Sequence, residues 1–363
     1  MENTKQRDIG LDLVKIVATI LILFHHYQQV TGAWFEGSIN FCFGRFYFGR
    51  MVELFFVISG FFMFPYVNRI KSGLDFRHFT IHRVSRLLPL NAFVVIVYCL
   101  CDWFVYVPLY GHNFAEGYPP TFWGGCLSIL GIQAGWASDN PYINNPMWYV
   151  SVLLLCYAIF WFLTDFARRK QKDEYKLYFL MILVGVAQCT VFAKLDIELP
   201  FLNTYSSRGY CAFFTGVILA KYNSNRNKKI DALCYVLLIL SVFGIYFYTG
   251  RYSALVTRFL FTFFTAPGII LAVEKLKITS QGVPGKVISF VSESSFDAFV
   301  THSTIYMIMM SLDKGLALNI NFNYQLVMVT MAIIIMTLSI ILHYFVEERI
   351  NRKAEKALQY LFF

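Results

Sequence analysis

Long apolar stretches separated by short polar segments run along almost the whole chain. A membrane-spanning helix needs roughly 20 mostly apolar residues. Ten stretches approach or reach that length, near residues 9–30, 46–67, 87–107, 148–164, 177–193, 205–221, 231–249, 252–273, 287–310 and 324–346. This pattern predicts an all-α integral membrane protein with about ten transmembrane helices.

One further apolar piece, Phe122 to Ile132, is short and rich in glycine. It is too short to cross the hydrocarbon core comfortably, so we interpret it as a re-entrant or interfacial segment. The first apolar run shows no cleavage pattern, and we expect it to remain as a signal anchor. We expect residues 1–363 to form a single transmembrane domain with no appended soluble domain.

The composition supports a membrane location, since 57% of the residues are apolar and only 15% are charged. Soluble globular proteins do not reach these values. Most of the eight cysteines lie within the apolar stretches, where a free thiol behaves as a small hydrophobic group. We therefore expect neither a disulfide framework nor a zinc site, and no metal cofactor. The cysteines within apolar stretches are Cys99, Cys101, Cys156, Cys189, Cys211 and Cys234.

Lysine and arginine occur in clusters that fall in alternate loops, and short loops of this kind stay in the cytoplasm. Because no Lys or Arg lies between Arg86 and Arg168, we expect one long outside loop at about 108–147 and both termini in the cytoplasm. This topology explains the net charge of +9, so no nucleic-acid partner is expected. The clusters are Lys5/Arg7, Arg69 to Arg86, Arg168 to Lys176, Lys221 to Lys229, Lys275 to Lys286 and Arg349 to Lys356.

A polar line runs along the first predicted helix. At about 100° per residue, Lys15 and His26 return to within roughly 20° of each other, and Asp12 and Thr19 lie near the same stripe. His25 projects about 100° away. Titratable groups in hydrocarbon are costly and commonly functional, so we interpret His26 as lining an interior cavity. The alternative is that one histidine caps the helix near the interface and both are only satisfied by their neighbours.

Three sequence motifs follow one another along the first quarter of the chain. They are Asp12-Leu-Val-Lys-Ile-Val-Ala18 with a later Phe-His-His26, then Val52-Glu53-Leu-Phe-Phe-Val-Ile-Ser59-Gly60, then Arg83-Val-Ser-Arg86-Leu-Leu-Pro89. In this order and spacing they resemble the acyltransferase 3 family. Lys15 stands where that family has an arginine, which keeps the charge but loses the planar fork.

Weaker matches extend the resemblance over nearly the full length. The tryptophan motif lacks the acidic residue that some family members carry soon after it, and the third match lacks the family's tyrosines. These matches are Asn145-Pro-Met-Trp148-Tyr, Phe214-Thr-Gly216-Val-Ile-Leu-Ala220, Ser295-Phe-Asp297-Ala-Phe-Val-Thr-His302 and Tyr344-Phe-Val-Glu347.

The resemblance implies that His26 is the catalytic residue, with His25, Glu53 and Lys15 beside it. Its imidazole suits either a general base acting on a hydroxyl or a nucleophile that carries the acyl group, and the sequence leaves both open. His26 lies about 25 Å along its helix, in the outer half of the membrane. Helix two descends from outside, so Glu53 lies at a similar depth.

A carboxylate at that depth would hold the histidine tautomer, as in catalytic triads. The alternative is that Glu53 only neutralises Arg50 or Arg45. His302 and Arg258 can reach the same layer of the membrane.

The resemblance also implies acetyl-CoA or another acyl-CoA as the donor. Arg83 and Arg86 lie at the predicted cytoplasmic mouth, where arginines bind phosphates through paired hydrogen bonds. The alternative for these two residues is a positive-inside retention signal.

The acceptor is the least determined partner. The outside loop carries aromatic and amide side chains that suit a glycan and equally suit an interfacial aromatic belt. The resemblance implies a cell-surface or lipid-linked saccharide. We expect Trp148, His302 and Arg258 to be acceptor-side or supporting residues. The aromatic and amide side chains of the loop are Trp136, Asn140, Tyr142, Asn144, Asn145 and Trp148.

The sequence thus favours an O-acyltransferase, specifically an O-acetyltransferase, surrounded by membrane lipid. We expect a multi-pass position in the cell membrane, the inner or plasma membrane of a bacterium. The competing hypothesis is a transporter of a glycan or small solute, because intramembrane His, Glu and Arg also mark proton relays.

Overall fold

The computed structural model describes residues 9–137, 141–248, 250, 253–276 and 282–362. Over these residues the chain forms twelve helices and one isolated bridge, which confirms the all-α prediction. The helices are α1 (Ile9–Thr31), α2 (Phe48–Lys71), α3 (Phe76–Tyr110), α4 (Phe122–Ile129), α5 (Asn145–Arg169), α6 (Glu174–Leu195), α7 (Thr204–Ser224), α8 (Lys228–Phe247), α9 (Ser253–Leu276), α10 (Val283–Glu293), α11 (Ser295–Leu316) and α12 (Gln325–Tyr360).

Eight of the described helices are long and apolar enough to cross a membrane: α1, α2, α3, α5, α6, α8, α9 and α12. The other two predicted spans fall on α7 and on the pair α10 and α11, which are helical but are not among these eight. The predicted span 287–310 is divided at Ser294, whose hydroxyl donates to the Val291 carbonyl. Serine side chains compete with backbone hydrogen bonds in this way and favour helix ends.

The short apolar piece predicted not to span forms α4, an eight-residue helix. Lys5, Arg7 and Asn140 lie outside the described residues. The cytoplasmic position of both termini stays a prediction.

Helices α2 and α7 pack closely because glycines face each other across their contact. A Cβ atom on Gly60 would lie 1.9 Å from the Phe213 carbonyl oxygen, and one on Gly216 would lie 2.0 Å from the Val57 carbonyl oxygen. Real Cβ atoms are not found at such distances from backbone, so no larger residue fits without a shift of the helices. Both glycines belong to the motifs noted in the sequence, and their role here is to bring the two backbones together.

The core lies around this helix pair. Phe56 of α2, Phe160 of α5 and Phe213 of α7 are fully buried. Helix α8 lies at the periphery, since only 17% of its most apolar stretch is buried and its Phe243 and Phe247 side chains are 58% and 64% exposed. In a chain of this composition such a surface faces lipid.

Candidate active site

A cavity of about 550 Å³ lies where α2, α7 and α9 begin and α8 ends. We call it the Glu53 cavity, because Glu53 is the acidic side chain among its described lining residues. It is lined by Gly44, Arg45, Tyr47, Arg50, Glu53, Arg208, Ile245, Tyr248, Ser253, Ala254, Thr257 and Arg258.

Glu53 forms an ion pair with Arg208 of α7. Arg208 Nε donates to Glu53 Oε1 at 2.7 Å, and the two side chains are 16% and 1% exposed. The Arg208 guanidinium also lies over the Trp148 ring, 4.4 Å from its centre, an arrangement that favours a cation. The close packing of α2 on α7 brings the two partners within hydrogen-bond distance.

Further arginines surround the same carboxylate. Arg258 Nε lies 3.7 Å from Glu53 Oε1, and the buried Arg50 donates to the Thr257 hydroxyl. The Arg45 guanidinium lies 5.3 Å from the centre of the Tyr246 ring. The cavity therefore holds more positive than negative charge.

Three histidines from two helices form a cluster. The ring centres of His25 and His26 are 5.0 Å apart, and those of His26 and His302 are 4.9 Å apart. His25 and His302 are buried, whereas His26 is half-buried. His26 is thus the most accessible imidazole of the three.

Hydrogen bonds indicate the same tautomer for each ring. Nδ1 of His25 lies 3.2 Å from the Phe41 carbonyl oxygen, and Nδ1 of His302 lies 3.2 Å from the Ala298 carbonyl oxygen. A carbonyl oxygen only accepts, so these Nδ1 atoms carry the proton and Nε2 keeps its lone pair.

At His26 the hydrogen-bond acceptor is the side-chain amide of Gln29. Its Oε1 lies 2.7 Å from His26 Nδ1, so the Nδ1–H donates to an amide oxygen and Nε2 is again the basic atom. The buried Nε2 of His302 makes no hydrogen bond with the described residues. Neutral imidazoles with a free Nε2 are suited to accept a proton.

A second cavity, of about 390 Å³, lies toward the other end of α1. We call it the Arg83 cavity, and its lining includes Lys15, Ser59, Arg83, Arg86, Tyr149, Tyr157, Phe299 and His343. The Arg83 guanidinium is buried and stacks on Phe79 at 3.7 Å and on Tyr66 at 4.3 Å. Arg86 is exposed at the same cavity.

The histidine cluster lies between the two cavities. Tyr47 lines the Glu53 cavity, and its ring centre is 4.6 Å from that of His25. Phe299 lines the Arg83 cavity, and its ring centre is 5.9 Å from that of His302. Contacting rings therefore connect the cavities through His25, His26 and His302.

Two of the expected residue pairings differ in the structure. The Glu53 carboxylate bonds Arg208, while His26 bonds Gln29, so the orienting group at His26 is an amide three residues further along α1. Lys15 lies at the Arg83 cavity and pairs with Asp12 at 3.1 Å. Lys15 and His26 lie on the same face of α1, but they are 11 residues apart. This separation is about 16 Å along the helix axis, so the two side chains do not meet.

The other expected residues lie beside the histidine cluster or line one of the two cavities. His302 contacts His26, and Arg258 reaches Glu53. Arg83 and Arg86 line one cavity. Trp148 is buried and supports Arg208.

The sequence reasoning missed Arg208 and Gln29. Apart from Lys221 at its end, Arg208 is the charged residue of the predicted span 205–221, and an arginine inside an apolar stretch was a usable signal. Gln29 is one helical turn beyond His26, a spacing at which side chains meet.

The aromatic and amide residues of the loop predicted to lie outside are mostly bonded to neighbouring helices. Trp136 Nε1 donates to the Ser151 carbonyl at 2.9 Å, and the buried Asn144 donates to the Val300 carbonyl at 2.9 Å. The Tyr205 hydroxyl donates a hydrogen bond to the Tyr142 hydroxyl at 3.3 Å.

Among the described residues, Asp297, His343 and Glu347 form a group whose ligand atoms lie within 4.8 Å of one another, a geometry that suits a metal ion. His343 Nδ1 lies 3.0 Å from Asp297 Oδ2 and also contacts Glu347. The other Asp297 oxygen, Oδ1, is buried and makes no hydrogen bond with the described residues.

Comparison with known proteins gives one match over most of the chain. The family model described as an acyltransferase domain matches residues 8–344. No curated protein and no solved structure matches. With two cavities joined by a histidine cluster and a family match over nearly its whole length, this chain belongs to the acyltransferase 3 family.

Proposed function

We propose that this protein is an O-acetyltransferase that moves the acetyl group of cytoplasmic acetyl-CoA to a hydroxyl of a cell-surface or lipid-linked saccharide. The observation that carries the proposal is the position of the histidine cluster between two cavities. An enzyme whose donor and acceptor lie on opposite sides of a membrane needs a reactive group that both can reach.

The donor occupies the Arg83 cavity in this proposal. Arg86 is exposed there and free to bind the phosphates of CoA, and Lys15 adds a second cation near the same opening. Arg83 is enclosed by aromatic rings and a backbone carbonyl, so it shapes the cavity wall. The acyl-thioester end of the donor then points toward Phe299 and the histidines.

His26 carries the chemistry, as the accessible member of the cluster with a basic Nε2. As a general base it takes the proton of the acceptor hydroxyl while the oxygen attacks the thioester carbonyl. The carbon–sulfur bond breaks, and the CoA thiolate receives the proton from the imidazolium. As a nucleophile, Nε2 attacks the thioester carbonyl, and the carbon–sulfur bond breaks to release the CoA thiolate. The acceptor hydroxyl then attacks the acyl-imidazole, the carbon–nitrogen bond breaks to restore the imidazole, and the hydroxyl proton ends on the thiolate.

The test uses the purified protein in nanodiscs, with release of CoA thiol from acetyl-CoA as the readout. We expect His26→Ala to lose turnover by at least a hundredfold with an unchanged unfolding midpoint, and His25→Ala to lose less. His112→Ala is the matched control, since His112 is exposed and contributes to neither cavity lining. Full activity in His26→Ala refutes the assignment.

A second experiment addresses the acceptor. Surface glycans from cells with and without the protein are compared by mass spectrometry for an acetyl group that depends on it. A transporter would instead move solute into proteoliposomes without consuming acetyl-CoA, and that outcome would replace the proposed function.

A further inference from the structure

The Glu53 cavity carries a surplus of positive charge that its own residues do not neutralise. Among its described lining residues are four arginines and one glutamate, which leaves three positive charges. Unpaired charge at membrane depth is costly, and residues that bear it are commonly functional. A charged ligand is the simplest compensation.

The arginines also keep hydrogen-bond donors available. Each guanidinium has five N–H groups. In the described contacts, Arg208 uses Nε on Glu53, and Arg258 reaches the same oxygen at 3.7 Å. Arg258 also donates to Cys189, so each side chain uses part of its five donors and keeps others for a ligand oxygen. Arg50 is held in place by Thr257 and by the Tyr47 carbonyl.

The cavity borders the lipid-facing surface of α8. Ile245 and Tyr248 line it, while Phe243 and Phe247 beside them are exposed. An anion that carries a hydrocarbon tail can place its charge among the arginines and its tail along α8. A free ion in water gains nothing from this apolar surface.

We propose that the Glu53 cavity binds the phosphate group of a lipid-anchored acceptor, with the hydrocarbon anchor along α8. This inference rests on the proposed function and names its acceptor class. Arginines bind phosphate through paired, charge-assisted hydrogen bonds, and three positive charges match a phosphate better than a single carboxylate. Tyr47 contacts both the cavity and His25, so a sugar attached to the phosphate lies beside the histidine cluster.

The probe is farnesyl phosphate, with binding measured by native mass spectrometry on the full chain in phosphatidylcholine nanodiscs. Farnesol tests the tail alone, inorganic phosphate tests the charge alone, and phosphatidic acid tests a phospholipid headgroup. We expect farnesyl phosphate to bind at least tenfold more tightly than each of the other three. Equal binding of farnesol or inorganic phosphate overturns the site, and equal binding of phosphatidic acid makes it a phospholipid site.

Variants locate the binding. We expect Arg258→Gln and Arg50→Gln each to weaken farnesyl phosphate at least tenfold, and Arg352→Gln, an exposed arginine on α12, to leave it unchanged. Should a glutamine variant unfold, Arg258→Lys replaces it as the test. This variant keeps the positive charge but loses the planar guanidinium, so we expect it to bind farnesyl phosphate more weakly than the wild type. Unchanged binding in folded variants of both arginines overturns the proposal.

The two proposals fail separately. Binding of farnesyl phosphate requires no acetyl-CoA, so wild-type protein that turns over acetyl-CoA without binding the probe refutes only the phosphate site. Wild-type protein that binds the probe but never releases CoA thiol refutes the proposed reaction.

Discussion

Replacing Gly216 by alanine tests whether close packing of α2 on α7 holds Glu53 against Arg208. The added Cβ would lie 2.0 Å from the Val57 carbonyl oxygen and 2.9 Å from the Phe61 nitrogen. Both neighbours are backbone atoms in a helix, so neither can move away alone. The two helices must separate.

The size of the effect follows from the contact distances. Close C···O contacts between helices lie at about 3.3 Å or more, so the helices must move apart by about 1.3 Å. The Glu53 Oε1 to Arg208 Nε distance of 2.7 Å then grows to about 4 Å, beyond hydrogen-bond range. Overpacking of this kind costs about 1–3 kcal/mol.

Thermal unfolding in detergent and CoA-thiol release measure the two consequences. We expect Gly216→Ala to lower the unfolding midpoint and to reduce turnover. Gly125→Ala is the matched control, since a Cβ there meets no atom within 4 Å and alanine favours its helix. If Gly216→Ala is as stable and as active as Gly125→Ala, the packing argument is refuted.

Two further predictions concern other parts of the chain. Arg86→Ala should raise the KM for acetyl-CoA several-fold, because Arg86 is an exposed cation at the Arg83 cavity. Arg77 is also exposed but lies outside the cavity lining, so Arg77→Ala should leave the KM unchanged. Equal KM values for the two variants in steady-state kinetics would contradict the donor site. Asp75 caps α3 by accepting from the His78 backbone N–H at 2.8 Å, and this bond lowers the pKa of the carboxyl. Asp75→Ala should therefore cost about 1 kcal/mol in unfolding free energy at pH 7. The charge-dependent part of this stabilisation is present above the unfolded pKa and is lost as pH falls through the lower folded pKa, so the difference in unfolding midpoint between wild type and variant should narrow as pH falls below about 4. A difference that does not narrow at all on acidification would argue against the charged cap.

Glu53 shows how far sequence reasoning went at the site. Its burial at the depth of the histidines follows from helix length and direction alone, and one alternative reading gave it an arginine partner. The partner is Arg208, which lies 155 residues away in sequence. Neither Arg45 nor Arg50 takes the hydrogen bond, because Arg50 donates to Thr257 and to the Tyr47 carbonyl and the Arg45 guanidinium lies over the Tyr246 ring.

The histidine cluster was also predicted only in part from the sequence. The helical wheel separated His26 from His25, and the motif selected His26. The wheel did not show that His25 would be the more deeply buried ring, nor that Gln29 would bond the reactive imidazole. Both depend on what packs against α1.

By itself the sequence determined that the chain is helical, lies in a membrane and carries titratable groups at defined depths, because hydrophobicity and rise per residue are local properties. It also identified the family through short motifs with fixed spacing. Only the tertiary structure decided which charges meet, which histidine of the cluster is the most accessible, and that the cluster lies between two cavities. Those outcomes depend on interhelical distances of a few ångströms, and the glycines at positions 60 and 216 set the closest of them.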